Sequence, residues 1–223
     1  MMAELQNVIL TSTYFGPVQW YQKLNRAENV LIEQHDSYRK QTYRNRCLIA
    51  GPNGVETLTV PVERPQDTLL HHTPMKDMRI SDHGNWRHIH WNALVASYSD
   101  SAFFEYYADD IRPFYEKRWD YLLDFNEAIY NAMCCLLDID LSGKQIKRTS
   151  QYWMDGEVGC YDDCNKREYK DFRDVIDAKR PLPDSSFSPR EYYQVFARKH
   201  GFIPNLSILD LLFNMGPEAV LYL

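Results

Sequence analysis

Three short stretches of this chain hold the side chains whose types and spacing could do chemistry. The first, Tyr38-Arg-Lys-Gln-Thr-Tyr-Arg-Asn-Arg46, places Arg39, Lys40, Arg44 and Arg46 within eight residues. An extended backbone would set Lys40, Thr42, Arg44 and Arg46 on one face, because strand side chains alternate with a period of two. The guanidinium group is a planar fork that matches phosphate or carboxylate, so such a cluster suits a phosphorylated ligand. The same charges would also serve a solvated edge strand, where cations block aggregation.

The second stretch, Asp82-His-Gly-Asn-Trp-Arg-His-Ile-His-Trp91, puts Trp86 and His90 four residues apart. On a helix they share a face with Leu94. His90 there reads as a general base or a positioning donor, or else as a hydrogen-bonded core histidine. His83 and His88 fall on the exposed side. The third stretch, Gly201 to Gly216, reads as a short, nearly all-apolar helix from Asn205 to Asn214, with Asn205 as N-cap, Gly216 as the left-handed stop and Pro217 beyond it. Ser207, Asp210 and Asn214 form its one polar stripe. A buried carboxylate is costly without partners. Asp210 therefore must be paired, for which Arg44 or Arg46 would serve, hydrogen-bonded, or facing a wet cleft that it helps to wall.

Other chemistries are missing from the sequence. It carries no serine-hydrolase elbow, phosphate-cradling glycine loop, dinucleotide fingerprint or kinase signature. With 25 basic against 31 acidic residues, the formal net charge of −6 offers no global field for nucleic acid. Of the five cysteines, Cys134 and Cys135 sit in an apolar helical run, and Cys160-x3-Cys164 lacks a second pair at zinc spacing. No metal or cofactor is expected, and the thiols read as reduced. The absence of a secretion signal and of a long apolar run predicts a cytoplasmic protein without a membrane span.

The elements that must position these groups can be read from periodicity. Asn7 to Thr11 and Asn29 to Glu33 are apolar β runs around a helix from Val18 to Ala27 that Pro17 starts, which is a parallel βαβ unit. Arg44 to Ala50 and Val55 to Val62 flank Gly51-Pro-Asn-Gly54, a hairpin signal. Asp82-His-Gly-Asn85 can cap a helix running to about Tyr98, and helices follow at Ala102 to Tyr107 and from Pro113, with a break, to Leu137. About 138–190 reads as a strand and then an irregular excursion or lid before the C-terminal helix. The fold class predicted is α/β, one domain over 1–223, with a mixed or mostly parallel sheet flanked by helices.

Together these stretches carry a resemblance to the WbqC-like family of bacterial proteins, over most of the chain. It runs through Tyr14-x-x-Pro17-x-x-x-Tyr21, Lys40, Asn45-Arg46, Pro52-Asn-Gly54, Leu58-Thr-Val-Pro-Val62 and Lys76-Asp-Met-Arg-Ile80. It continues with Asn85-Trp-Arg87, His90-Trp91, Tyr98 and Phe202 to Gly216. The chain departs from many relatives at Thr11-Ser-Thr13, where they carry His-Gln-Pro. The resemblance implies a role in surface polysaccharide biosynthesis, as a transferase moving an acyl or aminoacyl group onto a nucleotide-carried amino sugar, or as a non-catalytic binding protein of that pathway. On the transferase reading His90 or Asp210 acts as the general base, Lys40, Arg44 and Arg46 hold phosphate, and Asn45 belongs to the substrate-binding set. Tyr14 and Trp86 stack on sugar or base, and Ser207 and Asn214 complete the wall. That requires Lys40, Arg46, His90 and Asp210 to converge in one cleft.

Overall fold

The computed structural model describes residues 6–65, 69–152 and 168–223. In chain order the elements are β1 (Asn7–Thr11), α1 (Val18–Arg26), β2 (Asn29–Glu33), β3 (Arg46–Gly51), β4 (Gly54–Thr59), α2 (Trp86–Tyr98), α3 (Phe104–Ile111), α4 (Pro113–Glu116), α5 (Leu122–Leu136), β5 (Gln145–Arg148), β6 (Lys170–Asp171), α6 (Ala197–His200) and α7 (Ile208–Met215). Four strands make one sheet in the order β5-β2-β1-β6, and every pair in it is parallel. Val8, Ile9 and Leu10 of β1 are all fully buried. A strand buried on both faces reads as an unbroken apolar run, as this one does.

The βαβ unit is in place, with Asn7 opposite Asn29 and Thr11 opposite Glu33. The hairpin β3–β4 stands apart as a two-stranded antiparallel sheet closed at Gly51 and Gly54. Gly54 has φ 113, a conformation that few other residues accept. Between them the helices bury a core rich in aromatic rings, in which Tyr14, Phe15, Phe114, Trp119 and Phe125 pack edge-on, stacked or tilted.

Two local expectations are corrected by the structure. Residues 40–45 are turns, not a strand, so Lys40, Thr42, Arg44 and Arg46 do not share an extended face; Lys40 is exposed while Arg44 is buried. The C-terminal helix begins later than its sequence suggests. Ser207 is the N-cap, its Oγ accepting from the Leu209 amide at 3.3 Å, whereas Asn205 turns its Oδ1 to the Gln19 amide. Within about 138–190 the expected strand is β5, which pairs with β2, and the two-residue β6 pairs with β1. Cys160 and Cys164 lie outside the described residues. Among the described residues no helix is long and apolar enough to cross a membrane, and no group of three or more His, Cys, Asp or Glu side chains is arranged to hold a metal.

Candidate functional site

In a parallel sheet all carboxyl ends lie on one edge, and the loops leaving that edge build the clefts of α/β proteins. Here the edge is cross-tied. Glu33 at the end of β2 accepts from the His35 amide and from Thr149 Oγ1, both at 2.8 Å, and lies 3.5 Å from Arg173 Nη1. Arg173 in turn holds Asp171 of β6 at 2.6 Å. At the end of β1, Ser12 Oγ accepts from Asn126 Nδ2 of α5 at 2.8 Å, and the same amide donates to the Arg44 carbonyl. The departure at Thr11-Ser12-Thr13 is therefore buried in the seam between sheet and helix.

The loops that follow β2 and β6, the strands on either side of β1, enclose a cleft of about 500 Å³ lined by Arg39, Lys40, Gln41, Thr42, Asp174, Asp177, Lys179 and Arg180. Four cations face two carboxylates there. Arg39 is paired with Asp174, and Lys179 Nζ donates to Gln41 at 3.1 Å. The side chains of Lys40 and Arg180 have no protein partner among the described residues. The second loop is pinned from below. Asp184 accepts from Lys23 Nζ at 2.7 Å and Gln19 Nε2 at 2.9 Å on α1, and these contacts hold its carboxyl well below the usual range despite burial. The first loop rests on Arg44, which is buried against Asp36 and reaches Thr42 Oγ1. Burial lowers the Arg44 pKa and the Asp36 charge opposes that. Arg44 is thus a structural ion pair beneath the cleft.

His90 sits in a second place, enclosed by Trp86, Tyr14 and Tyr115. Tyr14 Oη lies 3.0 Å from His90 Nδ1 and 2.9 Å from Tyr115 Oη. Burial disfavours the charged ring and outweighs a backbone hydrogen bond at Thr59 that favours it. Burial pushes the imidazole down to about 4 and raises both phenols.

Asp210 occupies a third place. Its carboxylate accepts from Tyr98 at 2.8 Å, Tyr192 at 2.7 Å and Gln194 at 2.9 Å. Of the alternatives open to Asp210, the hydrogen-bonded one is observed: neutral hydroxyl and amide donors satisfy the charge, in place of an ion pair with Arg44 or Arg46. Burial raises the Asp210 pKa, and the three hydrogen bonds oppose the rise. Its neighbours on the stripe are engaged as well. Ser207 Oγ donates to the Phe15 carbonyl at 2.8 Å, and Asn214 donates to the Asp210 carbonyl at 2.7 Å. Asn45 is a buried clamp onto the Val60 carbonyl at 2.8 Å, and Arg46 opens the hairpin at β3.

The predicted residues are thus spread over three places. Tyr14, Trp86 and His90 stand together, as do Ser207, Asp210 and Asn214. Lys40 alone of the predicted set lines the basic cleft. Neither His90 nor Asp210 makes a hydrogen bond or ring contact with a cleft-lining residue. The cleft groups that sequence reasoning missed are Lys179 and Arg180, with Glu33 and Arg173 behind them. A Lys-Arg pair between Asp177 and Pro181 is the only local signal, and it does not say which edge the loop joins.

A profile of the WbqC-like protein family matches residues 12–222. The chain is also 30% identical over 229 residues to the uncharacterized protein Rv1507c of Mycobacterium tuberculosis, with 96% of each chain covered. No solved structure matches it.

Proposed function

This chain belongs to the WbqC-like protein family, and on that premise we propose that it binds a phosphorylated or nucleotide-linked sugar in the basic cleft and acts on it as a cytoplasmic transferase of bacterial surface polysaccharide biosynthesis. The observation that carries the reading is a local excess of cations, with Lys40 and Arg180 unpaired, in a chain whose net charge is −6. Charge against the molecule's own balance, placed past the carboxyl ends of parallel strands, suits an anionic ligand. Phosphate oxygens would take the donors of Lys40, Lys179 and Arg180. The group transferred would be an acyl or aminoacyl unit, whose carbonyl forms a bond to the sugar's amine as the donor's leaving group departs and the amine gives up a proton.

A second reading, a non-catalytic binding protein of the same pathway, is favoured by one observation. The two side chains that the sequence offered as bases, His90 and Asp210, are only 4% and 0% exposed and stand outside the cleft. On that reading they hold the fold that holds the cleft.

Thermal unfolding with nucleotide-linked sugars and sugar phosphates tests the shared part. A ligand at about 100 times its Kd stabilises by about 2.7 kcal/mol. We expect a shift that Lys40→Ala with Arg180→Ala abolishes, while the melting temperature of the free protein stays put. No shift with any of these ligands would sink both readings. Mass spectrometry of incubations with acyl donors then separates them, since binding without an acylated sugar leaves the second.

A further inference from the structure

A pocket of about 310 Å³ opens between the first turns of α2 and the short helix α4, and it shares no residue with the basic cleft. Two of its lining side chains are carboxylates, Asp82 and Glu116, and two are guanidinium groups, Arg87 and Arg112. Each acid is matched to a base: Arg87 Nη1 lies 2.6 Å from Asp82, and Arg112 Nε lies 2.7 Å from Glu116. Arg118 also reaches Asp82 from outside the lining. The pocket therefore presents charged groups with little net charge, and an ion entering it would meet as much repulsion as attraction. Trp91 supplies an aromatic wall, backed by the buried Tyr115, with ring centroids 6.0 Å apart and planes at 46°.

These features fit a neutral, polyhydroxylated ring. Each hydroxyl of such a ring both donates and accepts, so a vicinal pair can satisfy a guanidinium N–H and the adjacent carboxylate oxygen together. The Arg112–Glu116 pair is more than half exposed on both sides, and a pair in that setting is weak enough to open towards ligand hydroxyls at small cost. The apolar C–H face of the ring would lie on the aromatic wall. The volume is at the small end for ligand pockets, about 300 to 1,000 Å³, which suits a single ring. The wall is also rigid, because the Tyr115 hydroxyl is tied to Tyr14 and through it to His90. We propose that this pocket binds one neutral pyranose ring of a carbohydrate. The inference does not rest on the basic cleft.

The test is calorimetric and fluorescence titration of the whole chain with the methyl glycosides of glucose, galactose and N-acetylglucosamine, with inorganic phosphate as the charged control. We expect saturable binding of at least one glycoside, a change in tryptophan emission, and near-indifference to salt. Glu116→Ala and Arg112→Ala change exposed side chains and should leave the melting temperature unchanged while weakening that binding about tenfold. Lys40→Ala should leave it untouched. Saturable binding of none of the three glycosides would overturn the proposal. So would displacement by phosphate, or a loss that follows Lys40→Ala instead of Glu116→Ala.

Discussion

His90 is 4% exposed and enclosed by the rings of Tyr14, Trp86 and Tyr115, a setting that favours the neutral imidazole. Burial holds the folded imidazole at about 4, whereas an unfolded histidine takes its proton near pH 6.5. The folded state's advantage is therefore fully present above pH 6.5, and it is lost as pH falls towards 4, because the unfolded chain binds the proton first. The difference amounts to about 2 kcal/mol at pH 5. Urea unfolding of the wild type and His90→Phe at pH 7.5 and pH 5 checks this. The wild type should lose about that much more than the variant, and parallel losses would show that the imidazole is not the group involved. The tyrosines facing the ring contribute nothing in this window, since burial raises their pKa values well above the ordinary phenol value.

At the scale of elements, α7 is the peg around which the molecule is assembled. Its apolar residues Ile208, Leu209, Leu211, Leu212 and Phe213 are all fully buried. Asp210 ties it to α2 through Tyr98, whose hydroxyl also accepts from the Ala50 amide of β3. Its end is set by Gly216, at φ 54, where an added Cβ would sit 2.5 Å from the Phe103 ring. Both the backbone conformation and the ring oppose a side chain, so Gly216→Ala should destabilise by about 2 kcal/mol or more. Equilibrium unfolding measures it. Ligand binding in the basic cleft should survive at temperatures where the variant remains folded, because α7 does not line that cleft.

Across the whole molecule, two ion pairs beside the same cleft should behave oppositely. Arg39–Asp174 is about half exposed on both sides, so losing it costs under about 1 kcal/mol. Arg44 is buried against Asp36, and removing Asp36 leaves a guanidinium without its counter-charge. We expect Asp36→Ala to cost about 3 to 5 kcal/mol and Asp174→Ala to be nearly neutral for stability. Chemical denaturation of the two variants decides it, and equal effects would mean that the cleft floor is wetter than its geometry implies. Affinity for an anionic ligand should move the other way, with Asp174→Ala strengthening it by releasing Arg39.

Much of the fold was legible in the chain. β1 and β2 fall at their expected residues, because strands buried on both faces announce themselves as short apolar runs. The hairpin turn, the start of α4 at Pro113 and the stop at Gly216 each depend on a local backbone demand that Pro, Asn or Gly meets. The family resemblance and the parallel α/β class follow from that collinear order. Tertiary structure alone decided where the basic cleft forms. β6 is two residues long and pairs with a strand some 160 positions earlier, so no local pattern could bring Lys179 and Arg180 beside Lys40. The helix that holds Asp210 was evident in the sequence, but its carboxylate is satisfied by Tyr98, Tyr192 and Gln194, which come from α2 and from the segment before α6. Local propensity is written in neighbouring residues. The partner of a buried charge is chosen by packing between elements distant in sequence.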